Sequence, residues 1–242
     1  MDSKNKIILT TLLSISLYAS SISHSVAGLL ESGFEATYEV LHNEFYLGDA
    51  VRTLEPRDTQ IRIYRSHTSP KGVASAFVSD IIDEVSTIKI TNNRFQPKQY
   101  AYNQYGGKKN KVFQLKFDWK TKKLWNSYTD KTYPLKEETH DLLSFQLQLM
   151  QDLQAGKKNI NYVIADKKRV DAYQLTLTET EKIETPMKTF SAVKMVSNKI
   201  RGKTQFIIWC APALGYLPVR VMKIDDDGDE SVLTLKSLKL TP

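Results

Sequence analysis

Apolar and polar residues alternate along most of this chain, and the alternation has a period of two. Phe34, Ala36, Tyr38 and Val40 fall on one face of an extended segment, and Glu35, Thr37 and Glu39 on the other. That is the signature of a half-buried strand. The same reading predicts strands over 34–40, 45–54, 60–66, 87–91, 99–105, 111–119 and 123–129. After residue 156 it predicts strands over 160–165, 169–181, 190–200, 203–210, 217–224 and 231–240. Turn formers separate them: His42-Asn43-Glu44, Pro56-Arg57-Asp58, Ser69-Pro70-Lys71-Gly72, Asn92-Asn93, Gly106-Gly107, Thr121-Lys122 and Asp227-Gly228. The 73–86 segment fits a strand or a short helix equally.

One stretch breaks the period. Residues 139–156 read THDLLSFQLQLMQDLQAG, and at about 100° per residue their apolar side chains form a wide arc. Leu142, Leu143, Phe145, Leu147, Leu149, Met150 and Leu153 cover it, while Ser144, Gln148, Gln151 and Asp152 share a narrow polar strip. Thr139 offers an N-cap, Asp141 a first-turn charge, and Gly156 with Lys157 and Lys158 an end. The reading is a helix over 139–155, tucked against the concave side of a sheet. Gln146 lies inside the apolar arc, so it is either a buried amide satisfied by nearby backbone or a polar contact to a ligand.

Strand follows strand without alternating helices, which excludes a doubly wound α/β fold. The fold class predicted is mainly β: a curved antiparallel sheet, half-barrel or open barrel, with one long helix packed on it. Two meanders flanking the helix are compatible with a weak duplication.

The chain has 242 residues. Residues 1–27 read as a secretory signal peptide. Lys4 and Lys6 make the basic start, 7–18 the apolar region, and Ser25-Val26-Ala27 the small residues before cleavage between Ala27 and Gly28. The expected mature chain is one β-rich domain, 28–242, periplasmic and without a transmembrane segment. Loss of Lys4, Lys6 and Asp2 takes the net charge from +7 to +6. That excess suits an anionic partner such as a membrane surface and equally suits none. An exported chain without a basic helix or an RNA-binding signature is not expected to bind nucleic acid. Cys210 is the one cysteine, in the apolar run FIIWCA, so it forms no internal disulfide and reads as a buried thiol.

Catalytic patterns are sparse. There is no G-x-S-x-G elbow and no H-E-x-x-H or paired Cys/His spacing. No cofactor and no metal site is predicted, and no residue is assigned a catalytic role. The acidic run 225–230 superficially resembles a calcium loop, but its Gly comes too early and no bidentate Glu closes it. Glu137-Glu138 and Glu179, Glu181 and Glu184 cannot be placed across a cleft from sequence. Basic clusters at Lys108-Lys109-Asn110-Lys111, Lys120-Thr121-Lys122-Lys123 and Lys167-Lys168-Arg169 fall in turns, where they solubilise the chain or build a basic rim.

The chain holds 12 Tyr, 9 Phe and 3 Trp. Tyr100, Tyr102, Phe113, Phe117, Trp119 and Trp125 crowd the strands before the helix. They form core against it, or they line a lipid-sized cavity.

The segment from Phe34 to Val40 with Gly48, Phe95-x-Pro97-x-x-Tyr100 and Phe117-Asp118-Trp119 resembles the N-terminal half of an exported bacterial family, domain of unknown function 3108. Ser144-x-Gln146-Leu147, Tyr162-x-x-Ala165-Asp166, Glu184-Thr185-Pro186, Trp209-x-Ala211-Pro212 and Tyr216-Leu217-Pro218-Val219-Arg220 resemble the rest. The resemblance implies a secreted or periplasmic β-rich protein of Gram-negative bacteria, and it carries no catalytic positions. Pro212 and Pro218 bracket Gly215 and force a corner. Beyond it, Arg220 serves the corner's architecture, pairs with a buried carboxylate, or aims at an anionic ligand.

The leading expectation is a non-enzymatic binding or carrier module for an apolar or amphipathic envelope ligand. The residues singled out as ligand-lining candidates are Tyr100, Tyr102, Phe117, Trp119, Trp125, Gln146 and Arg220. A cell-envelope scaffold holding a protein or polymer is the second reading, and a hydrolase of envelope polymers the third.

Overall fold

The computed structural model describes residues 28–108, 110–199 and 204–241, so the expected leader lies outside the described residues. A short helix, α1 (Leu29–Ser32), precedes eight strands. They are β1 (Phe34–His42), β2 (Phe45–Pro56), β3 (Ile61–Pro70), β4 (Ile81–Thr91), β5 (Arg94–Tyr105), β6 (Lys111–Asp118), β7 (Lys123–Asn126) and β8 (Lys131–Pro134). Next come β9 (Thr139–His140) and α2 (Ser144–Gln154). The chain then makes β10 (Asn159–Ala165), β11 (Val170–Ile183), β12 (Phe190–Lys199), β13 (Gln205–Ala211), β14 (Leu217–Ile224) and β15 (Glu230–Leu240). All fifteen strands join one open sheet in the order β8 to β1, then β15 to β9.

Two meanders therefore meet where the first strand pairs the last. Phe34 lies opposite Leu240 and His42 opposite Ser231. Every pairing is antiparallel except one, the parallel pair of β9 with β10. The alternation of β1 holds as read, because Phe34, Ala36 and Tyr38 are all buried. β5 begins five residues earlier than its sequence pattern suggests. Pro97 sits where the register with β4 shifts, and a bulge is the place where a sheet tolerates a residue without a donor. The ambiguous 73–86 segment splits into a 3₁₀ turn, Gly72–Ala76, and the first half of β4.

The helix is shorter than predicted. It runs Ser144–Gln154 rather than 139–155, because Asp141, not Thr139, closes its first turn. The Asp141 Oδ1 accepts the N–H groups of Leu143 at 2.9 Å and Ser144 at 2.8 Å. Thr139 and His140 are drawn instead into pairing with Val163 and Ile164. Nine of the eleven helix residues are buried, so Ser144, Gln148 and Asp152 of the polar strip are enclosed along with the apolar arc, and Gln151 is half-buried. The wide arc resolves into two stripes. Leu143, Leu147 and Met150 join the larger core, which draws on β1–β7 and β15 and also takes in Ile183, Phe190, Trp209 and Val219 of the second meander. Phe145, Leu149 and Leu153 pack with Ile160, Tyr162, Met195, Ile208 and Cys210. One helix thus lies between a larger core shared by both meanders and a smaller one built from the second.

At one end of the sheet the turns touch in a ring. Lys71 N–H donates to Leu47 O, and Gln104 Nε2 to Asp80 Oδ1. Asn126 Nδ2 donates to the carbonyls of Asp166 at 3.2 Å and Lys167 at 3.1 Å. Arg169 reaches Asp226, and Asn43 reaches Asp229. The two edge strands, β8 and β9, remain unpaired to each other, and Asn126 spans the seam beside them. At the other end α1 covers the interior with Leu29 and Leu30, and Arg62 Nε donates to Leu30 O at 3.0 Å.

Candidate functional site

Within the sheet, the polar side chains of α2 are matched by the strands around them. Arg52, buried on β2, donates from Nη1 to Gln146 Oε1 at 2.6 Å and lies 5.0 Å from the Tyr38 ring centroid. Gln146 Nε2 donates to Leu142 O. Gln146 is thus a satisfied interior amide, and its partner is a guanidinium as well as backbone. Gln148 accepts the Phe95 N–H, and its Nε2 donates to Asp152. Asp152 also accepts Tyr162 OH at 2.7 Å and Lys157 Nζ at 2.7 Å. Each buried polar group that finds a partner avoids a desolvation cost of about 1–3 kcal/mol.

Two carboxyls share this interior. Glu84 accepts Tyr100 OH at 2.5 Å, and Asp141 accepts Ser86 Oγ at 2.7 Å. Burial pushes both pKa values up, and those hydroxyl bonds pull them back in part. His140 is buried with no hydrogen-bond partner at Nδ1, edge-on to the Tyr162 ring. Burial, helped by the Arg94 charge, lowers its pKa to about 3, against the Asp152 carboxylate. The imidazole is therefore neutral at pH 7. These groups fasten helix to sheet, and none of them lines the hollow at the ring of turns.

That hollow lies in the ring of turns. It is a cavity of about 620 Å³, within the range of small-molecule sites. Its apolar lining is Leu142 just before α2, Ile164 on β10, Tyr173 on β11 and Phe206 on β13. The Tyr173 and Phe206 rings meet edge to face at 5.4 Å. Burial and the Asp171 charge push the Tyr173 phenol up to about 12, so it stays a neutral donor. The rim is charged in both signs. Lys167, Lys168 and Arg169 come from the β10–β11 turn, and Lys223 and Asp225 to Asp227 from the β14–β15 hairpin. Several rim charges already pair: Lys223 with Asp225 at 2.7 Å, and Arg169 with Asp226 at 3.9 Å. Thr204 Oγ1 donates to Asp226 Oδ1 at 2.8 Å. Among the described residues no three His, Cys, Asp or Glu side chains converge as a metal-binding group.

The sequence candidates lie elsewhere. Tyr100 is fully buried against Glu84, and Tyr102 stacks on Phe113 with centroids 5.0 Å apart. Trp125 is half-buried under Lys116. Arg220 donates from Nη2 to Glu184 O at 3.0 Å, which ties the Pro212–Pro218 corner to the β11–β12 connection. Phe117 and Trp119 line a second, smaller depression of about 450 Å³ with Lys89, Gln96 and Lys98. The larger cavity's apolar lining was not legible as a set, because its members come from four separate segments. Its rim was visible in two unrelated pieces, the basic turn 167–169 and the acidic run 225–230. Only the fold sets them face to face.

The family model for proteins of unknown function called DUF3108 matches residues 34–236. A comparison with curated proteins found no match. Among solved structures, the chain is similar to a β-barrel-like protein of domain of unknown function DUF1849 from Brucella abortus. The identity is 10% over 86% of this chain and 98% of that one, with a TM-score of 0.58, a likeness of fold. A lipoprotein candidate from Parabacteroides distasonis aligns at 12% identity over 87% of this chain and 96% of that one, with a TM-score of 0.31.

Proposed function

We propose a binding role for this chain, which belongs to the DUF3108 family of proteins of unknown function. In this reading it is a periplasmic, non-enzymatic module, exported by a leader cleaved between Ala27 and Gly28, that holds one small amphipathic molecule. We read the sheet as an open barrel whose concavity α2 plugs. The ligand is then held beside the helix rather than behind it.

The observation that carries this reading is the 620 Å³ cavity with its apolar lining and its rim of both charge signs. An apolar ligand body loses contact with water against Leu142, Ile164, Tyr173 and Phe206, at roughly 25 cal/mol per Å². A polar or zwitterionic head meets the lysines and aspartates of the two turns. No helix among the described residues is long and apolar enough to cross a membrane.

The test uses the mature chain purified from a periplasmic extract, with lysophosphatidylethanolamine as probe, followed by native mass spectrometry and thermal shift. One equivalent should bind, and Phe206→Asp should abolish binding while leaving the fold intact. Trp119→Ala, in the smaller depression, should bind as the unaltered chain does. Binding that survives Phe206→Asp, or no binding by the unaltered chain, refutes the reading. A single protein recovered by cross-linking in cells, with no bound amphiphile, would favour the scaffold alternative instead.

A further inference from the structure

The two ends of the sheet differ in what they expose. Six connections among the described residues lie at one end: β1–β2, β3–β4, β5–β6, β7–β8, β10–β11 and β14–β15. Among the described residues, the large apolar side chains left exposed fall mostly here. Phe45, Tyr46, Val73, Phe77, Val112 and Tyr128 belong to this end, and Met187 and Leu240 to the other. Single exposed apolar residues are ordinary on any surface, but a one-sided gathering of them marks a contact surface.

The strongest part is the β3–β4 connection with its neighbour, the β1–β2 hairpin. Val73 is 81% exposed, Phe77 85% and Phe45 74%. Residues 72–79, GVASAFVS, carry no charge and lie between Lys71 and Asp80. The 3₁₀ turn packs against β2, and Lys71 N–H donates to Leu47 O, so the apolar side chains stand on a fixed base. They protrude from two turns, and neither of the two hollows described above includes them. A protein partner holds such anchors in matched pockets. A fluid headgroup layer takes them in without matching, and aromatic side chains sit well at that boundary. Lys71 and Lys108 are exposed beside them, with Lys111 near by. Of the acids near by, Asp80 already accepts Gln104 Nε2 at 2.6 Å, and Glu44 is exposed beside Phe45 on the side away from these lysines.

We propose that this end docks on an anionic phospholipid surface. Val73 and Phe77 enter the headgroup layer, Phe45 stands at its margin, and Lys71, Lys108 and Lys111 meet lipid phosphates. The acidic β14–β15 hairpin abuts the β1–β2 hairpin, where Asn43 Nδ2 donates to Asp229 Oδ1, so the molecule leans onto its β3–β6 side, away from both. Docking does not depend on whether the cavity holds a ligand, and the two tests fail separately.

The experiment is co-sedimentation of the mature chain with phosphatidylcholine vesicles, with and without phosphatidylglycerol. The chain should sediment with the anionic vesicles, less as salt rises. The double variant Val73→Asp, Phe77→Asp should bind on the order of tenfold or more weakly, since two apolar groups no longer leave water. Both positions are exposed, so its circular dichroism melt should match that of the unaltered chain. Met187→Asp, at the opposite end, should sediment unchanged. The proposal is overturned if the unaltered chain stays in solution with both vesicle types, whatever protein it captures from an extract. It is equally overturned if the double variant sediments as the unaltered chain does.

Discussion

His140 makes the stability of this protein acid-sensitive in a way that one substitution should remove. The ring is buried, has no partner at Nδ1, and holds its pKa at about 3, against 6.5 for an ordinary histidine. Between those two values the unfolded chain binds a proton that the folded chain refuses. The folded state is therefore favoured fully above pH 6.5, and that advantage is lost as the pH falls towards 3. For this one group the loss is about 2 kcal/mol at pH 5 and about 3 kcal/mol at pH 4. Glu84 and Asp141 act in the opposite direction, because burial raises both pKa values and protonation relieves a buried charge. A pH profile of the unaltered protein thus mixes the two effects. His140→Phe separates them, since it keeps an aromatic ring edge-on to Tyr162 and leaves both carboxyls in place. Urea unfolding of both proteins from pH 7.5 to pH 4 gives the difference in stability at each pH. That difference should move by about 2 kcal/mol in favour of the variant between pH 7.5 and pH 5. The constant offset between the proteins does not matter; the slope does. A flat difference would show that His140 titrates normally in the folded state, and the reasoning from burial would fail.

Three further outcomes follow from the interior and its seam. Gln146→Leu removes the acceptor for Arg52 Nη1 and should cost about 2–3 kcal/mol in urea unfolding. Part of that should return in the double variant with Arg52→Met, because the stranded charge is then gone; a single-variant cost near zero would contradict the assignment. Asn126→Ala loses the bonds to the Asp166 and Lys167 carbonyls and should cost about 1–3 kcal/mol. Amide exchange should then quicken at β7–β8 and the β10–β11 turn before it does elsewhere, and uniform exchange would refute the seam. Cys210 is fully buried, and burial pushes its thiol pKa up, so Ellman's reagent should find no thiol in the native protein and one equivalent in guanidinium.

Much of the architecture follows from the sequence alone, because its signals are local. A period of two places Phe34, Ala36 and Tyr38 inward whatever pairs with β1, and turn formers punctuate the strands wherever these go. The helix is legible for the same reason, and its wide arc already says that it is enclosed. Two local signals misled. Thr139 stands first in the helical stretch and reads as its cap, yet Thr139 and His140 pair with β10 and Asp141, an equally good capping residue, closes the turn. The residues before Gln99 read as a connection, but β5 begins at Arg94 and a bulge accommodates Pro97. Among the ligand-lining candidates, aromatic content alone could not separate Tyr100, locked on Glu84, from Trp119 at the edge of a hollow.

Tertiary structure decided what depends on distant partners. Nothing in residues 34–42 announces that β15 will pair there, since that register rests on contacts some two hundred residues apart along the chain. Once β1 and β15 are joined, the connections at one end are brought into a ring. The basic turn at Lys167 to Arg169 then confronts the acidic run at Asp225 to Asp227, and Leu142, Ile164, Tyr173 and Phe206 come to line one cavity. Phe45 and Phe77 share that end for a more local reason, since β1 to β4 run up and down and alternate turns fall on one rim. Periodicity determines which face a side chain takes, because backbone geometry repeats every two residues or every 3.6. Which faces and which turns meet is set by long-range pairing, where the chain gains contacts only after the entropy of closing the loop is overcome.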